Sequence, residues 1–312
     1  MLFKSIGKNF LISVIPKLIR YAKAFYMLIA EFFIMAVIGV DVGGHAIKAG
    51  IVTKKGTVLD KEVVLTEPEK GRETVVNNII NVIKDLLRID KNISSIGIGV
   101  PGVVTRKGYI SYTPNIPLAN FDLGKAIRKK IRKKIIFGND ADNFALAKYH
   151  FGAGKSYETI VCLTLGTGIG SGIILKGKLF SKDGAPELGH MTIKYDGAKA
   201  KCCGNDGCIE SYIGRKRFSR SPLEVYKKAL AGNKQALKKF ENYGKLLGVA
   251  ISNFVNIFNP DAVILGGQMS NAYNLFRKTM EEEIKKRTIF KTRVVKSKMR
   301  EAGMIGAAVL AF

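Results

Sequence analysis

The sequence predicts an α/β fold of two lobes facing a cleft, each built on one copy of the same α/β unit. Three observations carry that prediction. From Met35 onward, short apolar runs alternate with segments of helical periodicity, the order of a layered α/β protein. The pattern VIGVDVGGHAIKAGIVTKKGTV, which opens at Val37, returns at Thr159 as TIVCLTLGTGIGSGIILKGKLF. In both copies an apolar run, a glycine turn, a second apolar run and a Lys-Gly turn follow in the same order. Finally, 312 residues are more than one small core needs.

The elements follow from residue type. AVIGVDVGG reads as a strand ending in a glycine turn, AIKAGIVT as its partner, and the alternation from Thr57 to Leu65 as a third strand. Residues Glu73 to Leu87 place Val75, Val76, Ile79, Ile80, Val82, Ile83, Leu86 and Leu87 at helical spacing, and ISSIGIGVPG returns to a buried strand. Asp122 to Lys133 reads as a basic helix, Lys134 to Gly138 as a strand, and Ala141 to Phe151 as a helix with Asp140 near its start. Glycines in the two turns let backbone N–H groups approach an anion closely.

Composition narrows the class. A hydrophobic share of 47% with 24% charged residues is ordinary globular material, so disorder is not the default expectation. The net charge of +26 favours anionic ligands, but the basic runs are not interleaved with aromatics. They read as a solvated surface, with no specific nucleic-acid partner. The first 34 residues are basic and apolar together, and Lys17, Arg20, Lys23 and Glu31 interrupt every run before a membrane-spanning length. They are expected to be an extension outside the fold; the alternative is an amphipathic helix in membrane contact.

The block from Glu187 to Glu210 holds three of the four cysteines, and His190. Clustered thiols with an imidazole are the ligand set of a tetrahedral zinc site, and they indicate a reducing, cytoplasmic setting. Carboxylates at both ends suggest a pocket for something polar.

Taken in order, these motifs resemble the ROK family of sugar kinases and sugar-responsive regulators, within the actin and hexokinase superfamily. DVGGHAIKAGIV and LTLGTGIGSGII are similar to its two phosphate motifs, GIGVPG and TPNIP to segments lining the sugar, and GNDADNFALA to the segment with the catalytic aspartate. ELGH with CGNDGCIE resembles the family signature, NIFNPDAVILGGQMS the adenosine side, and EAGMIGAA the closing helix. The resemblance covers Met35 to Phe312 and implies a two-lobed actin-like, ribonuclease H-like ATPase fold. The small lobe would comprise residues 35–138 and 299–312, the large lobe residues 139–298.

It also implies an ATP-dependent sugar kinase, most readily a glucokinase making glucose 6-phosphate, with Asp140 as general base. Asn115, Asn139, Asp140, Glu187, His190 and Glu210 would bind the sugar. Asp41 would hold Mg²⁺, and Gly43, Gly44, Lys48, Thr167, Gly168, Gly266 and Gly267 would contact ATP. His190, Cys202, Cys203 and Cys208 would hold a structural Zn²⁺. The family habit implies a homodimer or homotetramer. Other sugars, namely N-acetylmannosamine, N-acetylglucosamine or fructose, remain alternatives, as does a sugar-sensing regulator. The regulator would carry a winged-helix domain, and the residues before Met35 show no such pattern. The chain departs from the family at three places: His45 replaces the usual Thr, Pro186 a small residue, and Lys201 the first cysteine, leaving Cys202 one residue late.

Overall fold

The computed structural model describes residues 35–181, 184–197, 199 and 203–312. The N-terminal extension, Lys201 and Cys202 lie outside the described residues.

The chain opens with β1 (Ala36–Val42), β2 (Ala46–Thr53) and β3 (Val58–Leu65), followed by helix α1 (Arg72–Ile89). Next come β4 (Ser95–Val100), the short strands β5 (Val103–Val104), β6 (Tyr109–Tyr112) and β7 (Phe121–Asp122), helix α2 (Leu123–Arg128), strand β8 (Lys134–Asn139) and helix α3 (Asp140–Phe151). The second half supplies β9 (Ile160–Leu165), β10 (Ile169–Leu175), β11 (Lys178–Leu179), α4 (Ile209–Ile213), α5 (Arg215–Phe218), α6 (Pro222–Leu230) and α7 (Lys234–Phe258). It closes with β12 (Ala262–Gly266), α8 (Tyr273–Arg287), β13 (Arg293–Lys296) and α9 (Ala302–Ala311).

The duplication read from the sequence is present as two five-stranded sheets, ordered β3-β2-β1-β4-β8 and β11-β10-β9-β12-β13. In each, an antiparallel pairing extends one side of the sheet, β2 with β3 in the first and β10 with β9 and β11 in the second. The later strands β4 and β8, or β12 and β13, join in parallel. The match is physical: β4 is buried along its whole length, as a parallel strand covered on both faces must be. Helix α1 buries Val75, Val76, Ile79, Ile80, Val82, Ile83 and Leu86, the stripe its periodicity defined; Leu87 is half-buried.

One element differs. The basic helix expected over Asp122–Lys133 stops at Arg128. Six of the seven residues from Arg128 to Lys134 are cationic, and like charges one turn apart oppose a helix. Arg128 instead donates to the carbonyls of Lys107 and Ile135, at 2.8 and 3.2 Å, and ties the chain back onto β8.

Helices α3 and α9 dock on bare strand backbone. A Cβ at Gly39 of β1 would collide with the Met304 carbonyl, and one at Gly97 of β4 with the Ala307 carbonyl. Ser95 Oγ donates to the Ala311 carbonyl at 2.7 Å and pins the end of α9. On its other side α9 meets α3 at Gly306, which touches the Asn143 backbone, while Gly172 of β10 lies against Ala141 and Ala145 of α3. Both helices therefore stand between the two sheets, with their N-termini near the ends of β1 and β8. Adding a side chain at such a contact forces the layers apart. Gly97→Val is expected to cost about 1–3 kcal/mol of stability or more. Urea denaturation checks this, and a loss under about 0.5 kcal/mol would contradict the docking.

Candidate active site

Strand β1 carries Asp41 to the edge of the first turn. Gly43 N donates to the Ala46 carbonyl at 3.0 Å, and Thr66 Oγ1 donates to the Gly43 carbonyl at 2.6 Å, so the turn is closed from both sides. Gly44 leaves just enough room for Asn115, whose Cβ would stand 3.2 Å from an added methyl, and Asn115 is thereby held beside the turn. His45 is exposed. The Asp41 carboxylate faces Gly303, in the first turn of α9. Burial and then the charge of Asp140 push its pKa up to about 7, with Lys48 opposing and Glu301 adding to the rise. Lys48 Nζ lies 3.4 Å from Glu301, which also pairs with Lys61 at 3.3 Å.

Helix α3 presents Asp140. Asn139 caps it: Asn139 Oδ1 accepts from Ala141 N at 2.7 Å and from Asp142 N at 3.2 Å. Asn139 Nδ2 donates to the Gly102 carbonyl at 2.9 Å, so this predicted sugar ligand is largely committed to holding the helix start. Asp140 Oδ1 accepts from Ala141 N at 2.9 Å. Burial raises the Asp140 pKa, and the backbone bonds of Ala141 and its own N–H partly offset this. Sequence reasoning missed Asp142. It is only 3% exposed, its Oδ1 has no hydrogen-bond partner among the described residues, and its pKa is pushed up to about 6, chiefly by burial. Nothing in its spacing separates it from an exposed helix carboxylate.

The second turn encloses Thr167: Gly166 N donates to the Gly168 carbonyl at 3.0 Å. Glu210, at the start of α4, reaches this turn. Its Oε2 accepts from Ile169 N at 2.7 Å, and a side chain at Gly168 would collide with its carboxylate. At the end of β12, Gly266 lies against the Phe144 ring, and Gly267, at φ +80°, packs on the Leu165 backbone.

The segment from Pro186 to His190 is hung from β10 by Ser171, whose Oγ donates to the Pro186 carbonyl and accepts from Leu188 N at 3.0 Å. Burial raises the Glu187 pKa; His190 opposes this, and Asp140 and Glu210 add to it, so these four side chains share one field. His190 Nε2 stands 3.7 Å from Glu187 Oε2. Its Nδ1 is buried without a hydrogen-bond partner among the described residues. A bridge between Thr192 and Cys208 folds the cysteine block back onto this segment, and Gly207, at φ +70°, fits where a side chain would strike the Lys194 carbonyl. The ligand atoms of His190, Cys203 and Cys208 lie within 4.8 Å of one another, and the two sulfurs are 3.8 Å apart. An orphaned imidazole nitrogen beside two thiols fits a zinc ion. The predicted fourth ligand, Cys202, lies outside the described residues.

The structure thus gathers Asp140, Glu187, His190 and Glu210 into one carboxylate-rich wall, with Asp41 and the two glycine turns beside it. That arrangement can accept a proton, hold a cation and receive an anion on backbone N–H groups.

The model of the ROK family matches residues 37–312. A glucokinase from Thermotoga maritima is 32% identical over 307 residues, covering 88% of this chain and 96% of its own. A xylose repressor from Bacillus subtilis is 30% identical, over 80% of this chain and 68% of its own. A ROK glucokinase from Streptomyces griseus, solved with glucose and AMPPNP, superposes with a TM-score of 0.77 at 27% identity, over 88% of this chain and 99% of that one.

Proposed function

The chain belongs to the ROK family and is a sugar kinase of the actin-like ATPase fold, and on that premise we propose that its substrate is glucose, taken to glucose 6-phosphate with ATP as donor. The observation that carries the reading is Asp140, placed at the head of α3 within the carboxylate wall and coupled by charge to Asp41. Asp140 accepts the proton of the attacking hydroxyl. Burial makes it a stronger base than a solvated carboxylate, and the Ala141 N–H keeps it oriented.

Glu187, His190, Glu210 and Asn115 offer acceptors and donors that match sugar hydroxyls, and such sites reject analogues lacking one. Asn139 contributes mainly through the helix start it holds. The turns at Gly43–Gly44 and Thr167–Gly168 receive the phosphates, Gly266 and Gly267 leave bare backbone for the adenosine, and Lys48 adds positive charge. Asp41 would hold Mg²⁺, which supplies charge neutralisation at the phosphates. His190, Cys203, Cys208 and Cys202 would hold Zn²⁺ as a brace for the sugar-binding segment. On this reading residues 35–138 with 299–312 and residues 139–298 are the lobes that close over the sugar.

Asp140→Asn is expected to lower turnover by about 10²–10⁴ with sugar affinity nearly intact. Turnover near wild type would remove Asp140 from the chemistry. For the metal, elemental analysis of purified protein is expected to find close to one zinc per chain and a clear loss in Cys208→Ser; zinc below about half an equivalent in the unaltered protein would count against the site. A coupled assay over glucose, fructose, mannose, N-acetylglucosamine and N-acetylmannosamine decides the substrate, and a higher kcat/KM for any sugar other than glucose overturns that part of the proposal. The similarity to a xylose repressor favours a sensor as the second reading. Absence of turnover with every sugar, together with retained sugar binding, would support it.

A further inference from the structure

Arg215 opens α5, one glycine beyond the helix that carries Glu210, and it touches both turns of the proposed nucleotide side. Its main-chain N–H donates to the Gly166 carbonyl at 3.1 Å, which fixes the residue to the turn around Thr167. Its side chain runs to the other turn, where Nη1 donates to Gln268 Oε1 at 2.6 Å, one residue after Gly267. The residue therefore spans from the second phosphate turn to the end of β12. A guanidinium carries five N–H donors and a permanent charge. Gln268 is neutral and takes one donor. Among the described residues no carboxylate lies within ion-pair distance of Arg215, and the structure supplies no compensation for its charge. An uncompensated planar fork, anchored to a glycine turn by its own backbone, is the complement of phosphate oxygens.

We propose that Arg215 is a nucleotide-binding residue that grips the phosphates of ATP, with Gln268 holding the guanidinium in place. The proposal rests on the kinase reading above and adds a specific cationic contact to a site otherwise made of backbone.

The test compares wild type, Arg215→Ala and Arg215→Lys by KM for ATP and for sugar, and by calorimetric titration with ADP and with adenosine. Losing one charge-assisted contact is expected to raise KM for ATP and Kd for ADP about 10- to 100-fold in Arg215→Ala. KM for the sugar should stay within about twofold and adenosine affinity should not change, while Arg215→Lys recovers part of the loss. Unchanged KM for ATP overturns the proposal. So does an equal fall in adenosine affinity, which would place the contact on the base. A joint weakening of both substrates with a lowered Tm would make Arg215 a strut and overturn it as well. If wild type phosphorylates no sugar and binds no ADP, the kinase reading fails and Arg215's role fails with it. Active wild type with an indifferent Arg215→Ala sinks the Arg215 assignment alone.

Discussion

The placement of Asp41 and Asp140 depends on two helices resting directly on strand backbone. Helix α9 lies on Gly39 and Gly97, helix α3 lies on Gly172, and the helices meet each other at Gly306. Contacts this close have almost no play, because there is no flexible side chain in them to rearrange. They set the head of α9 against Asp41 and the head of α3 at the end of β8, where Asp140 stands. The two carboxylates are thus positioned by the packing of the layers, with loops contributing only the turns around them.

The electrostatics run against the composition. A chain of net charge +26 collects Asp41, Asp140, Asp142, Glu187 and Glu210 around one place. Burial, and for Asp41, Asp142 and Glu187 mutual repulsion as well, raise the pKa values of Asp41, Asp140, Asp142 and Glu187. Such a cluster is costly to the fold and is relieved by what it is suited to receive: a cation, or hydroxyls that donate. The basic exterior and the acidic wall are therefore suited to different ligands, the one to anions in solution and the other to groups that donate hydrogen bonds.

Much of this was legible in the sequence because it was written in periodicity and in glycine. The duplicated hairpin, the stripe of α1 and the strand of β4 all follow from side-chain spacing. ELGH and the cysteine block were legible because their residue types are rare together. What spacing does not carry is which polar side chains fold inward. Asp142 reads as one more helix carboxylate, and Lys148 as one more surface lysine in a lysine-rich chain. Yet Lys148 is fully buried, with Nζ 3.3 Å from the Met299 carbonyl and 4.5 Å over the Phe144 ring, and burial lowers its pKa to about 8. Asn139 shows the converse: a residue picked for the ligand turns out to be occupied by its own helix. The shortened α2 was hidden for another reason, since apolar spacing continued past the point where like charges stop the helix.

Glu210 stands in the carboxylate wall, and its bond to the Ile169 N–H ties that wall to the second glycine turn. One oxygen is fixed to the turn around Thr167, and the carboxylate also acts on the charge of Glu187. A displacement of a carboxylate anchored in this way is passed to the start of β10. Any coupling carried through such a bond is reciprocal by thermodynamic necessity, each side acting on the other by the same factor. The start of α4 and the turn around Thr167 are therefore joined by a single side chain, and neither moves independently of the other while that bond holds.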